Sequence, residues 1–294
     1  MRRIGRLGRH LRQSEDGLVV QTFTPDRGQV LCVTTAGSQN FKPKINQDFF
    51  ASTGSRICLC DGHGGRGEKV SSMVATAICK PEGLEVHDYD RINSVQRKLF
   101  QELGNDSLYS GCSGVWVKLE DQMVVVSNVG DSRCVVVGHN KGGNGSGEVV
   151  FETRDHKPDD PVEMARIRAK KGTVRQYKGD VPRVCGLALS RAFGDFITNG
   201  VVLPEPDVTR IESSEVALCI LGTDGVFDMC SSQEVVDLLL GPQSNQEEGN
   251  EKGDDKQDGL GERMLNVVRL CKDRWEEESH GLYADDITLA VWKL

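Results

Sequence analysis

The chain has 294 residues, with 36 lysines and arginines against 44 aspartates and glutamates, so its formal net charge is −8. This length suffices for one or two globular domains, and 37% hydrophobic residues exclude a wholly disordered chain. A net acidic chain is a poor general binder of nucleic acid, because that binding depends on Lys and Arg neutralising phosphates. No run of 18 apolar residues is present, so no transmembrane helix is expected.

The N-terminal segment is basic, with five arginines before the first acid, Glu15. We predict an extension over residues 1–27, partly disordered, followed by a single domain over residues 28–294. The extension has two interpretations, an organelle-targeting or membrane-surface helix and a frayed basic tail. Gly5 and Gly8 weaken a helix there.

Ten cysteines are spread along the chain without a disulfide-framework or zinc spacing. Several lie inside apolar runs, where a free thiol behaves as a small hydrophobic group. No apolar stretch near the N-terminus has the form of a secretory signal. These features predict a reducing intracellular compartment, the cytoplasm or the nucleus.

From Gly28 onward, apolar strand-like runs alternate with amphipathic helical stripes. Strands are predicted at 30–33, 49–51, 57–60, 114–117, 123–126, 134–137, 217–221 and 287–292. Helices are predicted at 70–78, 92–103, 164–171, 235–240 and 264–275. Residues 128–131 predict a hairpin turn, and the acidic stretch over residues 241–261 predicts a disordered loop. This order indicates an α+β fold with much antiparallel sheet.

Aspartates stand at the ends of several predicted strands. Asp48 precedes one strand, Asp61 and Asp224 each follow one and open an Asp-Gly pair, and Asp285 lies just before the last strand. Each alone is explained by ordinary turn chemistry. Together they indicate carboxylates gathered at one rim of a sheet.

Gathered carboxylates repel one another unless cations neutralise them. Oxygen ligands without a Cys or His cluster suit Mg²⁺ or Mn²⁺ rather than Zn²⁺. Two such ions suit phosphoryl hydrolysis, since they activate a water and stabilise charge on the transferring group. The residues alone therefore predict an oxygen-ligated, two-metal hydrolase.

The sequence resembles the metal-dependent serine/threonine protein phosphatases of the protein phosphatase 2C family. The resemblance covers about residues 28 to 294 and rests on seven motifs that appear in register. These are Asn46-Gln47-Asp48, Asp61-Gly62-His63-Gly64-Gly65, Asn128-Val129-Gly130-Asp131-Ser132-Arg133, Asp155-His156-Lys157-Pro158, Leu189-Ser190-Arg191-Ala192-Phe193-Gly194-Asp195, Thr223-Asp224-Gly225-Val226-Phe227-Asp228 and Asp285-Asp286-Ile287-Thr288.

The resemblance implies a catalytic domain built as a four-layer α-β-β-α sandwich, in which two antiparallel sheets are flanked by helices. It implies two Mg²⁺ or Mn²⁺ ions and a weaker third. The implied metal ligands are the side chains of Asp48, Asp61, Asp224 and Asp285, the backbone carbonyl of Gly62 and, for the third ion, Asp106.

The implied general acid is His63, which would protonate the leaving alkoxide. The family's phosphate-binding arginine is not evident, and Lys44 or Lys42 could replace it as a point charge but not as a bidentate fork. Gln47 stands where many members have Glu. The segment between Gly65 and Gly111 is shorter than usual, which would open one face or mark a truncated gene model.

Three functions are compatible with these residues. The first is hydrolysis of phosphoserine and phosphothreonine in phosphoprotein substrates by a monomeric enzyme. The second is a pseudophosphatase that acts as a regulated binding module, favoured by the short segment and the missing arginine but opposed by the intact aspartates. The third is a metal-dependent nuclease, for which no basic groove with interleaved aromatic residues is visible.

Overall fold

The computed structural model describes residues 10–13, 18–23, 28–80, 88–139, 147–241 and 258–294. The strands are β1 (His10–Gln13), β2 (Val19–Phe23), β3 (Gln29–Thr35), β4 (Ser38–Gln39), β5 (Lys42–Pro43), β6 (Phe49–Thr53), β7 (Arg56–Cys60), β8 (Gly62–Gly64), β9 (Ser110–Cys112), β10 (Gly114–Glu120), β11 (Met123–Val129), β12 (Arg133–Gly138), β13 (Val149–Glu152), β14 (Val174–Arg175), β15 (Arg183–Val184), β16 (Phe193–Gly194), β17 (Asp207–Glu212), β18 (Val216–Gly222), β19 (Tyr283–Ala284) and β20 (Ile287–Lys293). The helices are α1 (Gly67–Cys79), α2 (Asp88–Leu103), α3 (Pro161–Ala169), α4 (Asp224–Phe227), α5 (Ser232–Leu240) and α6 (Asp258–Glu278), with short 3-10 turns at Gly104–Leu108, Phe196–Thr198 and Ser213–Glu215.

Two antiparallel sheets form the centre of the molecule. One has seven strands in the order β1-β2-β3-β20-β18-β12-β13, and the other has five in the order β17-β11-β10-β7-β6. Three smaller sheets join β16-β9-β8, β19-β4-β5 and β14-β15. The α+β class predicted from the sequence is confirmed.

Three hydrophobic cores hold these layers together. Residues of both sheets, such as Ile57, Val136 and Trp292, form one buried cluster between them. Met264 of α6 packs with residues of α5 on the outer face of the seven-stranded sheet. Val74 of α1 packs with residues of α2 on the outer face of the five-stranded sheet. This stacking is consistent with the predicted α-β-β-α sandwich.

Local sequence accounts for where several helices lie. The apolar stripe of α1 is buried as its spacing predicts, with Val70, Val74 and Ile78 on the inner face. The hydroxyl of Ser231 accepts a hydrogen bond from the backbone N–H of Glu234 at 3.2 Å and caps the start of α5. Phe100 falls on the apolar stripe of α2 by its spacing, but the residue is 55% exposed.

The predicted hairpin around residues 128–131 is wrong. β11 pairs with β10 and β17, whereas β12 pairs with β13 and β18, so the connection crosses from one sheet to the other. The backbone of Gly130, at φ +96°, donates to His156 Nδ1 and accepts from the backbone N–H of His156. The turn is thus bonded to a distant segment, which no local pattern reveals.

Two described segments refine the predicted domain layout. Within residues 1–27, β1 and β2 pair with each other, and β2 also pairs with β3, so they continue the seven-stranded sheet. Most of the predicted acidic loop, residues 242–257, lies outside the described residues. Its last four residues are helical instead, because α6 begins at Asp258 and Leu260 packs against the core of the seven-stranded sheet.

Candidate active site

The register of two strand pairs explains why four aspartates lie near one another. β6 and β7 are antiparallel neighbours with Phe49 opposite Cys60, so Asp48 and Asp61 stand at the same end of that pair. β18 and β20 are also antiparallel neighbours, with Gly222 opposite Leu289. Asp224 and Asp285 therefore flank the corresponding end of the other sheet. We call these four side chains the aspartate edge.

The charges of the aspartate edge act on one another. Burial raises the pKa of Asp48 well above its usual value, and the neighbouring carboxylates of Asp285 and Asp224 raise it further. Burial likewise raises the pKa of Asp61, with a further contribution from Asp48. The pKa of Asp224 is raised by burial and then by Asp61. Carboxylates from both sheets therefore face one another across the edge.

Two oxygens of the aspartate edge are buried without a hydrogen-bond partner. They are Oδ1 of Asp48 and Oδ1 of Asp224. The other oxygen of Asp48 accepts from the hydroxyl of Thr223 at 3.2 Å. An unpaired buried carboxylate oxygen costs free energy, so its presence at a shared edge indicates a place for a cation.

These residues fit a hard divalent cation by donor type. Among the described residues, no three His, Cys, Asp or Glu side chains form a ready-made metal cage. Mg²⁺ sites seldom need such a cage, because water and backbone oxygens complete the coordination. A divalent cation here would pair with the orphaned oxygens and neutralise the carboxylates that repel one another.

Gly62 brings backbone close to the aspartate edge. Its N–H donates to the carbonyl of Gln47 at 3.1 Å, and an added Cβ would overlap the backbone of Gln47 and Gly67. Only glycine fits, and the side chain of Gln47 in turn donates to the carbonyl of Gly64 at 2.8 Å. Gln47 therefore ties the segment before Asp48 to the loop that follows β7.

Lys44 lies against the aspartate edge. Its ammonium is 2.6 Å from Oδ1 of Asp285 and 3.6 Å from Oδ2 of Asp286, and it stands 5.1 Å from the ring centroid of Tyr283. Burial lowers the pKa of Lys44, but the charge and hydrogen bond of Asp285 outweigh it, and the pKa is raised. Lys42, the alternative suggested by the sequence, has an exposed side chain.

His63 lies one residue beyond Gly62, on β8. Its Nε2 is 2.7 Å from Oδ2 of Asp195, which follows β16, and both strands pair with β9. A Cβ at Gly111 on β9 would overlap both the Asp195 carboxylate and His63 Nε2, so a glycine is required between them. The imidazole is thus held in one orientation by a buried acid 132 residues away in sequence.

Asp106 is not drawn into the aspartate edge as expected of a metal ligand. It lies on the 3-10 turn Gly104–Leu108, and its carboxylate accepts from Nε of Arg66 at 3.1 Å. Its side chain is 56% exposed. Asp106 therefore forms a surface ion pair in this structure.

Sequence reasoning missed three acids near the site. Asp286 is buried and accepts from the backbone N–H groups of Gly37 and Gln47 at 2.7 and 2.9 Å. Asp131 adds charge near Asp61 and Asp224, and it is paired with Lys157 at 2.7 Å. Asp195 holds His63. Each stands in a motif of the sequence, but its partner is far along the chain, so no local signal assigned its role.

Known proteins match this chain in sequence and in structure. Residues 49–250 match the family profile described as Protein phosphatase 2C. Probable protein phosphatase 2C 61 of Arabidopsis thaliana is 32% identical over 283 residues, 85% of this chain and 81% of that protein. Probable protein phosphatase 2C 72 of the same plant is 33% identical over 66% of this chain and 69% of its own. A serine-threonine phosphatase 2C from Toxoplasma gondii superposes with a TM-score of 0.68 at 20% identity, covering 93% and 97% of the two chains.

Fold and sequence together define a protein phosphatase. More particularly, the chain belongs to the protein phosphatase 2C family, as its motifs predicted. Membership supports protein phosphatase activity and lends no support to the pseudophosphatase alternative. Among the described residues, no helix is both long and apolar enough to cross a bilayer.

Proposed function

We propose that this protein hydrolyses phosphoserine and phosphothreonine in proteins with the help of two Mg²⁺ or Mn²⁺ ions. The observation that carries the proposal is the aspartate edge, where acids from two sheets meet with orphaned oxygens. Family membership supports the same activity.

The residues that would hold the two ions are the carboxylates of Asp48, Asp61, Asp224 and Asp285 and the carbonyl of Gly62. When bound, the ions would neutralise phosphate charge and acidify the attacking water. Asp106 would serve a weaker third ion only after its pair with Arg66 opens. Activity measured against Mg²⁺ concentration in Asp106→Asn would reveal that role.

Lys44 would bind an oxygen of the substrate phosphate. Its ammonium is a compact charge on a flexible stem, so it can contact one oxygen but cannot grip two as an arginine fork does. Its position beside Asp285 supports this role, because the phosphate must approach the ions at that edge.

His63 would supply the proton that the departing serine or threonine oxygen requires. An alkoxide is a poor leaving group, so proton transfer as the ester bond breaks lowers the barrier. The 2.7 Å contact of Nε2 with Asp195 would hold the imidazole ring in a fixed orientation. Asp195 is therefore a positioning residue.

The remaining sequence expectations belong to this proposal. The partners would be phosphoproteins and not nucleic acid, and the enzyme would act as a monomer. All ten cysteines are free in the structure, which supports a reducing compartment, the cytoplasm or the nucleus. Targeting by the basic N-terminal residues stays an alternative.

The test is hydrolysis of a phosphothreonine peptide and of p-nitrophenyl phosphate with and without Mn²⁺. We expect EDTA to abolish both reactions and Mn²⁺ to restore them, because oxygen-only sites exchange such ions readily. Asp224→Asn should lower turnover about 100-fold or more, equivalent to about 2.7 kcal/mol. Glu212→Gln, which changes an exposed acid, is the control. Full activity in EDTA would contradict the proposal.

A further inference from the structure

Lys44 is the only basic side chain described in direct contact with the four acids of the aspartate edge. Its ammonium donates to Oδ1 of Asp285 at 2.6 Å, lies 3.6 Å from Asp286 and reaches the hydroxyl of Tyr283 at 3.5 Å. One half-buried acid, one buried acid and an aromatic ring thus surround one positive charge. This cradle is formed by β19 and the turn between β19 and β20.

We propose that Lys44 is the resident counter-ion of Asp285. A divalent cation that binds Asp285 displaces the Lys44 ammonium, which then binds the substrate phosphate. The second half rests on the proposed function, whereas the first half concerns metal binding alone. Both cations need the same carboxylate, because the ammonium is hydrogen-bonded to Oδ1 of Asp285. Two positive charges at one carboxylate repel, so binding of one weakens binding of the other.

The backbone around Lys44 permits this exchange without unfolding. The N–H of Lys44 donates to the carbonyl of Gly37 at 3.0 Å, which anchors the main chain next to strand β5. Pro43, just before it, has a fixed φ. The four-carbon side chain beyond this anchor has rotatable bonds, so the ammonium can leave Asp285 while the backbone stays in place.

Lysine suits this role better than arginine. A guanidinium would hold a carboxylate through two parallel hydrogen bonds and would give it up less readily. The single 2.6 Å contact of an ammonium is more easily exchanged for a phosphate oxygen. Phosphate binding and metal binding are therefore coupled. A phosphate that draws Lys44 away from Asp285 makes the metal bind more tightly, and a bound metal makes phosphate bind more tightly by the same factor.

The experiment measures Mn²⁺ binding by isothermal titration calorimetry to the full chain after removal of metals. We compare the wild-type protein with Lys44→Met and with Lys42→Met, which removes an exposed charge two residues away. Lys44→Met should bind Mn²⁺ about fivefold or more tightly, within the usual range of coupling between two sites. Lys42→Met should bind within about twofold of wild type, since long-range charge effects are screened by salt.

Equal or weaker Mn²⁺ binding by Lys44→Met would overturn the inference. Circular dichroism confirms that the variant is folded, and Lys44→Gln provides a polar replacement if methionine disturbs the cradle. The titration requires no turnover, so its outcome stands whether or not phosphopeptides are hydrolysed.

The phosphate step is tested separately at saturating Mn²⁺ by titrating inorganic phosphate into each protein. Phosphate should bind about tenfold more weakly to Lys44→Met, as expected for loss of one charge-assisted contact. Unchanged phosphate affinity would overturn this second half and leave Lys44 as a counter-ion only. Failure of the proposed function would instead show as absence of hydrolysis in the wild-type protein with both affinities as expected.

Discussion

Two regions of this phosphatase bury acids in opposite ways. Glu163 on α3 accepts hydrogen bonds from Arg191 at 2.6 and 3.0 Å, from Arg166 at 2.9 and 3.1 Å and from Ser190 at 2.7 Å. Burial alone would raise its pKa, but these bonds outweigh burial and lower the pKa to about 2. At the aspartate edge, Asp48 and Asp224 each keep an orphaned oxygen and a raised pKa.

Glu163 is an acid whose hydrogen bonds stabilise the fold, whereas the acids of the aspartate edge have fewer such bonds and are suited to bind a ligand. The Glu163 network joins α3 to the segment before β16, and Arg191 extends it to Asp207 at the start of β17. The donors described for the aspartate edge are fewer on each acid: Lys44 and the backbone N–H of Asp286 donate to Asp285, and Thr223 donates to Asp48. Removing a charge should therefore have opposite effects on stability in the two regions.

The largest expected effect concerns a third kind of acid, Asp195, whose carboxylate has one side-chain partner among the described residues, His63. His63→Ala removes that partner and the proposed general acid. Hydrolysis of a phosphothreonine peptide should fall about 10²- to 10⁴-fold, the usual contribution of general acid catalysis. The p-nitrophenyl phosphate reaction should fall less, because its leaving group needs little protonation. Mn²⁺ affinity, measured by calorimetry, should stay near wild type.

Equal losses on the two substrates, with metal binding intact, would show that His63 does not protonate the leaving group. Its contact with Asp195 would then position the Gly62 loop only.

The next largest effect concerns the stability contributed by Glu163, whose carboxylate is fully hydrogen-bonded. Glu163→Gln should lower the free energy of unfolding by about 3 to 5 kcal/mol, because it removes the charged partner described for Arg166 and one of the two carboxylates that pair with Arg191. Since the folded pKa of Glu163 is lowered to about 2, this stability is present above its ordinary value of 4.5 and is lost as the pH falls toward 2. Urea unfolding at pH 7 and pH 3 checks both statements.

Glu212→Gln, an exposed acid on β17, is the matched control and should change the free energy of unfolding by no more than about 0.5 kcal/mol. A Glu163→Gln protein as stable as this control would mean that the buried network makes no net contribution to the free energy of unfolding.

The smallest expected effect is at the surface. Asp106→Asn should cost about 0 to 1 kcal/mol of unfolding free energy, because its pair with Arg66 is largely exposed and screened by solvent. Urea unfolding in EDTA measures this without any contribution from bound ions. A cost as large as that of Glu163→Gln would show that the pair is a structural anchor.

Much of this site follows from local sequence, and the rest does not. The strands around Asp48, Asp61, Asp224 and Asp285 were predictable, because apolar runs flanked by an aspartate are visible without a partner. The contact of His63 with Asp195 was not predictable, since it joins β8 to the residue after β16, two strands that meet only through β9. The mistaken hairpin has the same cause: both strands beside Gly130 are buried on both faces, so periodicity says nothing about which sheet each strand enters.

The central claim is that the aspartate edge is unfavourable until cations neutralise it, and the melting temperature of Asp224→Asn tests it most directly. In EDTA at pH 8, the variant should melt higher than wild type, by about 2 to 4 °C for each kcal/mol of repulsion relieved. Because burial and the neighbouring Asp61 raise the folded pKa of Asp224, the wild-type carboxyl takes up a proton as the pH falls, and the difference should shrink as the pH is lowered. Added Mn²⁺ should raise the melting temperature of wild type more than that of the variant. A variant that melts lower than wild type in EDTA and responds equally to Mn²⁺ would contradict the claim.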